Sequence, residues 1–77
     1  MNLRTQQAAG GKPVWCRADG TPIACHEKIK VMNENFEELR QMAQDALDDA
    51  LLIGASEAQV RQALHRLVAE LANPYGG

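Results

Sequence analysis

The fold is decided by one stretch of the chain, residues 26–53, which reads HEKIKVMNENFEELRQMAQDALDDALLI. Its apolar residues recur at alternating steps of three and four, which keeps them on one face of a long helix. That stripe consists of Ile29, Met32, Phe36, Leu39, Ala43, Ala46, Ala50 and Ile53. The stretch contains no proline or glycine, so the pattern predicts one uninterrupted helix over about 26–53.

A second apolar stripe follows after a short break and predicts a shorter helix over about 56–72. Gly54 suits the left-handed backbone position that ends a helix. Ser56, followed by Gln59, is a capping-box start for the next helix. The stripe of the second helix consists of Val60, Leu64, Leu67 and Leu71.

Two helices joined by so tight a turn predict a mainly α fold built on an antiparallel helical hairpin. If the chain folds back at about residue 55, small residues of the first helix meet large residues of the second, as interdigitating layers require. The predicted neighbours are Ala50 with Val60, Ala46 with Leu64, Ala43 with Leu67, and Leu39 with Leu71.

The segment before the long helix, about 14–25, predicts a small β-hairpin. Asp19-Gly20 is a strong signal for a two-residue turn. That turn pairs Cys16 with Ile23 and places Trp15 on the outward face. The inward face is then formed by Val14, Cys16, Ile23 and Cys25. Residues 1–12 are polar and small and predict a disordered tail, which leaves 13–77 as a single small domain.

The helical hairpin carries more apolar surface than two helices can cover. A core of this size supplies only about 3–5 kcal/mol, and leaving several leucines in water would forfeit much of that stabilisation. We therefore expect a homodimeric four-helix bundle, or a larger protein partner. The residues expected at this interface are Ile29, Met32, Phe36, Leu39, Leu47, Leu51 and Val68.

The charge distribution bears on partners and location. Residues 26–53 hold seven acidic and three basic side chains, an acidic balance that disfavours nucleic acid as a partner. No stretch has the length and apolarity of a transmembrane helix, and the first residues lack the apolar region of a secretory signal. These features predict a cytoplasmic protein without a membrane partner.

Two cysteines are too few for a disulfide framework, so other roles are open. Cys16, Cys25 and His26 lie close together in the predicted hairpin and are candidate zinc ligands, although zinc takes four. The two cysteines can also form a redox-sensing pair, because Cys25 precedes a helix whose N-terminus stabilises a thiolate. The third alternative is that both thiols are small apolar residues in a packed face.

The second helix carries a local similarity to a known family. Residues 54–67, GASEAQVRQALHRL, contain the run Gly-x-Ser-x-x-x-Val-Arg-x-Ala-Leu-x-x-Leu. This run resembles the turn and recognition helix of winged-helix repressors of the GntR type. The resemblance covers 14 of the 77 residues. It implies helix-turn-helix DNA binding through the helix over 56–72, with Arg61 near phosphates or bases. Arg66 is a second candidate for nucleic-acid contact on the same helix.

No catalytic or cofactor signature occurs in the chain. It has no nucleophile and base with an orienting third group, no phosphate-binding loop and no cofactor motif. We therefore expect a small cytoplasmic accessory or adaptor protein that acts through helical contacts, without enzymatic activity or cofactor. The alternatives are a thiol or zinc module at Cys16, Cys25 and His26, and DNA binding through the second helix.

Overall fold

The computed structural model describes residues 12–76, and their regular structure consists of two α-helices. Helix α1 spans His26–Leu52 and helix α2 spans Glu57–Ala69. The mainly helical class and the helical hairpin are thereby confirmed. The tail predicted over 1–12 lies outside the described residues, except for Lys12. Neither helix is long and apolar enough to cross a membrane.

The chain divides into two compact units, Met1–Gln41 and Met42–Gly77. Unit 1 contains the segment that precedes α1 and the first part of that helix. Unit 2 contains the remainder of α1, the turn and the whole of α2. The candidate surfaces described below each belong to one of these units.

The turn between the helices closes around Gly54, as the sequence predicts. Gly54 has a φ of 94°, a left-handed conformation that a residue with a Cβ adopts only with strain. Its amide donates to the carbonyl of Leu51 at 3.1 Å, and the Ala55 amide donates to the carbonyl of Ala50 at 2.8 Å. These two bonds form a Schellman motif, which satisfies carbonyls that the end of α1 would otherwise leave without a partner.

Helix α2 begins where the capping pattern predicts and ends earlier than its apolar stripe does. The Ser56 hydroxyl accepts a hydrogen bond from the Gln59 amide at 3.2 Å. The helix ends at Ala69, three residues before the predicted boundary, and Asn73 then accepts from the Tyr75 amide in a separate turn. Pro74 disfavours helical backbone only at Asn73, so it does not account for the end of the helix at Ala69.

The segment before α1 is not the predicted β-hairpin. Within 12–76, strand pairing is limited to one isolated antiparallel bridge, between Cys16 and Pro22. The Arg17 amide donates to the Thr21 carbonyl at 2.8 Å, and the Gly20 amide donates to the Arg17 carbonyl at 2.9 Å. The loop therefore has three residues, and Gly20, with a φ of 93°, takes the left-handed position that closes such a loop.

This longer loop shifts the pairing by one residue, so that Trp15, and not Cys16, lies opposite Ile23. The Ile23 amide donates to the Trp15 carbonyl at 2.9 Å, so Trp15 and Ile23 are opposite each other. A shift of one residue turns the side chains of the shifted strand, residues 14–16, to the other face of the pair. Trp15 and Ile23 are half-buried, whereas Cys16 and Cys25 are exposed. The predicted inward face with both cysteines is therefore wrong.

The loop is also held by its own acidic side chain. Asp19 Oδ1 accepts hydrogen bonds from the Thr21 amide at 3.0 Å and from the Thr21 hydroxyl at 2.7 Å. Because both bonds stabilise the ionised carboxylate, they lower the pKa of Asp19 from its ordinary value. The backbone bond is the larger of the two causes.

In unit 2 the two helices pack along a narrow seam. The half-buried residues of this unit are Ala43, Leu47 and Ala50 on α1, and Val60 and Leu64 on α2. Ala46, predicted to meet Leu64, is exposed, and Leu67, predicted to meet Ala43, is 54% exposed. The seam on α1 is therefore rotated toward Leu47, which is half-buried where Ala46 is exposed.

Candidate interaction surfaces

In unit 1, the segment before α1 is anchored to the helix by Trp15. Its indole Nε1 donates to Asn33 Oδ1 at 2.7 Å. Its ring lies edge-on to Phe36, with ring centroids 5.8 Å apart and planes inclined by 77°. A partly buried indole needs an acceptor for its N–H group, and an edge-to-face aromatic pair contributes roughly 0.5–1.5 kcal/mol beyond burial. Trp15 therefore fixes the segment on α1.

Phe36 is contacted from a second side by Arg40. The guanidinium carbon of Arg40 lies 5.2 Å from the centre of the Phe36 ring, within the range of a cation–π interaction. The Nε of Arg40 also lies 3.5 Å from Glu37 Oε1. Phe36, predicted as an interface residue, is consequently half-buried by its own unit. Its neighbour Leu39 remains 59% exposed.

The anchoring role of Trp15 was missed in the sequence because the predicted register placed it outward. Asn33 was the available signal, since it lies four residues after Ile29 and three before Phe36, beside the apolar stripe of α1. An amide in that position offers an acceptor to a buried donor. Trp15, the single tryptophan of the chain, has an indole N–H group that can serve as this donor.

Unit 1 also has an open apolar groove next to the Trp15 anchor. Its volume is about 390 Å³, and its lining combines Ile23 with one side of the first turns of α1. Val31 is 54% exposed and Met32 is 37% exposed at this position. Of the predicted interface residues in this unit, Ile29 is half-buried, while Met32 and Leu39 are accessible to a partner.

In unit 2, apolar side chains continue on both sides of the helical seam. One side, the Leu51 face, consists of the half-buried Leu47 with Leu51 and Val68, which are 42% and 61% exposed. The opposite side, the Met42 face, consists of Met42, Ala46, Ala63 and Leu67. Met42 is 69% exposed. The sequence prediction named the Leu51 face and left out most of the Met42 face.

The two thiols are accessible, but the structure does not assemble a metal site around them. Cys16 and Cys25 are both free and exposed. The Cys16 thiol lies 3.5 Å from the Val14 carbonyl, and the Cys25 carbonyl accepts from the Ile29 amide at the start of α1. Over 12–76, no three histidine, cysteine or acidic side chains are grouped so as to hold a metal ion. Cys16, Cys25 and His26 are therefore not brought together as ligands within one chain.

The basic residues of α2 have carboxylate partners one turn away. Arg61 Nε lies 2.9 Å from Glu57 Oε2, and Arg66 Nε lies 3.3 Å from Glu70 Oε2. All four side chains are exposed, so these pairs are weak. The local charge of this helix surface is nevertheless balanced, and DNA binding through Arg61 and Arg66 stays a prediction from the sequence.

Comparison of the chain with protein-family models, with curated proteins and with solved structures finds no match.

Proposed function

We propose that this chain is a small non-enzymatic accessory or adaptor protein that acts through helical contacts with a partner protein. The observation that supports the proposal most directly is the lack of an enclosed core. No residue over 12–76 is fully buried, while twelve large apolar side chains are exposed. Apolar side chains that cluster on one surface commonly mark protein interaction sites.

Energetics favour a partner over an isolated chain. Burying a leucine or methionine completely contributes roughly 1.5–3 kcal/mol, whereas ordering the backbone of one residue costs roughly 1–2 kcal/mol. The seam of unit 2 contains only five half-buried residues, so most of the available hydrophobic free energy is still to be gained. A partner protein that covers the remaining apolar side chains would supply this hydrophobic free energy.

Leu39, Leu51 and Val68 are the predicted interface residues best exposed for contact with a partner, at 59%, 42% and 61%. In this proposal a second copy of the chain completes a four-helix bundle, and the partner protein binds the assembled dimer. A cytoplasmic location belongs to the same proposal, because two unpaired cysteines suit a reducing compartment.

Photo-crosslinking in the cells that produce the protein tests this function. A photoreactive residue replaces Leu39 in one variant and Leu51 in another, and the exposed Gln62 of α2 is the matched control position. We expect Leu39 and Leu51 to yield discrete adducts with another protein, and Gln62 to yield none. Equal, diffuse labelling from the three positions would contradict the adaptor function.

The alternative with an observation in its favour is a thiol or zinc module, since both thiols are accessible. Zinc would have to bind between two copies, because residues 12–76 of one chain do not group three ligands. Elemental analysis should then find about one zinc ion per two chains, and substitution of Cys25 by serine should abolish it. Zinc-free protein with two slowly reacting thiols would remove this alternative.

A further inference from the structure

The Met42 face of unit 2 is bordered by acidic side chains along its edge on α1. Met42 and Ala46 are one helical turn apart, and Ile53 follows seven residues after Ala46, so the three lie in one row. Met42 and Ile53 are 69% and 82% exposed. Asp45 and Asp49 follow Met42 and Ala46 by three residues each and border the row on the side away from the seam. An occupant of this face therefore meets an apolar surface and carboxylates together.

The arginines of unit 2 are engaged elsewhere, on α2. Residues 42–52 of α1 contain three aspartates and no basic residue, and the lysine and arginine residues of 42–76 are Arg61 and Arg66 alone. Arg61 lies 2.9 Å from a carboxylate oxygen of its own helix, and Arg66 lies 3.3 Å from another. The acidic edge of the Met42 face thus has a net negative charge that a basic partner can neutralise.

The position of Asp49 is unfavourable for the helix that carries it. Asp49 lies in the last turn of α1, and that turn contains no basic residue. The C-terminal end of a helix has a partial negative charge, so a carboxylate there lowers the stability of the helix. A residue that departs from the local rules of helix stability in this way is typical of a binding surface.

The opposite rim of the face, on α2, is polar without being acidic. Next to Ala63, an open hollow of about 630 Å³ is lined by Gln59, Gln62 and Arg66 among others. The Arg66 guanidinium is paired with Glu70, so the charge of this rim is balanced. Because one rim is negative and the other is neutral, the face favours an occupant whose two flanks also differ.

We propose that the Met42 face binds an amphipathic helix of a partner protein, with lysine or arginine along the flank that faces α1 and uncharged polar residues along the flank that faces α2. The inference rests on the proposed function, that the chain acts through helical contacts, and it specifies the chemistry of the partner. A second copy fits this face less well, because it brings its own aspartates while its arginines are already paired.

Helix packing gives the geometry of the complex. A third helix lies in the groove between two antiparallel helices at axis distances of about 8–10 Å, and the small side chains of Ala46 and Ala63 leave space for it. Its apolar residues, at steps of three and four, contact Met42 and Leu67, and its cationic flank lies beside Asp49. The 13 residues of α2 are about 20 Å long, which corresponds to a partner helix of about 14 residues.

Fluorescence anisotropy of labelled synthetic helices, titrated with the full chain under reducing conditions, tests the proposal. The lysine peptide has a leucine stripe, lysine along one flank and glutamine along the other. The glutamate peptide replaces each lysine with glutamate, and the alanine peptide replaces each leucine with alanine. We expect the lysine peptide to bind at least tenfold more tightly than either control. Its affinity should fall severalfold when the salt concentration rises from about 0.05 to 0.3 M.

A charge reversal locates the binding site. Asp49→Lys should weaken the lysine peptide at least tenfold and strengthen the glutamate peptide by a similar factor. Its thermal midpoint should be unchanged or higher, since a cation suits this end of α1. The matched control is Asp48→Lys, because Asp48 accepts a hydrogen bond from Gln44 at 2.9 Å on the side of the Leu51 face. The control should change both affinities by less than about threefold at 0.15 M salt.

A second pair of variants tests the apolar contact. Met42→Ser should weaken the lysine peptide at least tenfold, because it removes the largest side chain of the row. Val68→Ser shortens a side chain that is similarly exposed, at 61% against 69% for Met42, but it lies on the Leu51 face. This control should bind the lysine peptide within about threefold of the wild type. Circular dichroism of each variant checks that its helical content is retained.

The inference is overturned if the lysine peptide binds no better than the glutamate or the alanine peptide, or if either control variant weakens it as much as its counterpart on the Met42 face. A face that a second copy already covers does not bind the peptide, and that result overturns the inference as well. Peptide binding at this face without a crosslinked partner at Leu39 or Leu51 keeps the inference and loses the adaptor function. A crosslinked partner without peptide binding does the reverse.

Discussion

Trp15 connects the irregular segment of unit 1 to α1 through one hydrogen bond and one aromatic pair. The two contacts act on different atoms of the indole. The Nε1–H group depends on Asn33, and the ring depends on Phe36. Both contacts follow from the loop shift that turns Trp15 toward the helix, so a loop one residue longer than predicted decides the environment of the single tryptophan.

Replacing Asn33 with alanine should weaken this anchor. Trp15 Nε1 loses its acceptor, and a lost hydrogen bond of this kind costs about 1 kcal/mol of the free energy of unfolding. Urea denaturation followed by Trp15 fluorescence measures the change, and the emission maximum of the folded variant should shift to the red. Asn35→Ala, an exposed amide on the same helix, is the control. Equal effects of the two substitutions would contradict the anchoring role.

The Asp19 carboxylate should titrate below its ordinary pKa of 3.8, because Thr21 donates two hydrogen bonds to its ionised form. A carboxylate whose pKa is lower in the folded state stabilises that state above its ordinary pKa. The contribution disappears as the pH falls through the lowered value. The Thr21 amide resonance in an NMR titration should report a midpoint below 3.8. A midpoint at or above that value would show that the two hydrogen bonds do not form.

Sequence patterns predict the individual capping residues well. Gly54 and Ser56 have the conformation and the hydrogen bond expected of them, since these effects depend only on neighbours a few residues away. Trp15 and Cys16 were placed on the wrong faces, because their orientation depends on the length of a loop, and Cys25, predicted inward, is exposed. Asp-Gly suits a two-residue turn and also a three-residue loop with glycine last, and no local pattern separates the two.

Helix α1 was predicted within one residue at its C-terminal end, and α2 three residues too long. The long stripe of α1 specifies a helix without ambiguity, and the Schellman motif stops it. The stripe of α2 continues to Leu71, whereas the helix ends at Ala69. An apolar pattern therefore shows that a helix is present more reliably than it shows where the helix ends.

The turn between the helices should be sensitive to the residue at position 54. Gly54→Ala should destabilise the fold by about 1–2 kcal/mol, because alanine resists a φ of 94°. A Cβ at this position meets no atom within 4 Å, so the effect is one of backbone strain and not of a steric clash. Gly54→Asn should be milder, since asparagine tolerates left-handed backbone. Thermal unfolding followed by circular dichroism compares the stability of the two variants with that of the wild type. An alanine variant as stable as the wild type would contradict the left-handed backbone at position 54.

Across the whole chain, the helical hairpin was predictable, whereas the exact seam and most of the candidate site were not. Leu47 replaces Ala46 in the seam, and that rotation exposes the Met42 face instead of covering it. The choice between such seams depends on how side chains of different size fill the space between the helices, which the spacing of apolar residues does not record. The excess of apolar surface, by contrast, follows from composition and helix length, and the structure bears it out in its lack of fully buried residues over 12–76.

The central claim is that the folded chain depends on association. Its most direct test is the urea midpoint of unfolding at two protein concentrations a hundredfold apart. For a dimer that unfolds to separate chains, this range changes the free energy by about 2.7 kcal/mol, which should raise the midpoint by roughly 1 M at the higher concentration. The same midpoint at both concentrations would show a chain that folds alone, and would contradict the account.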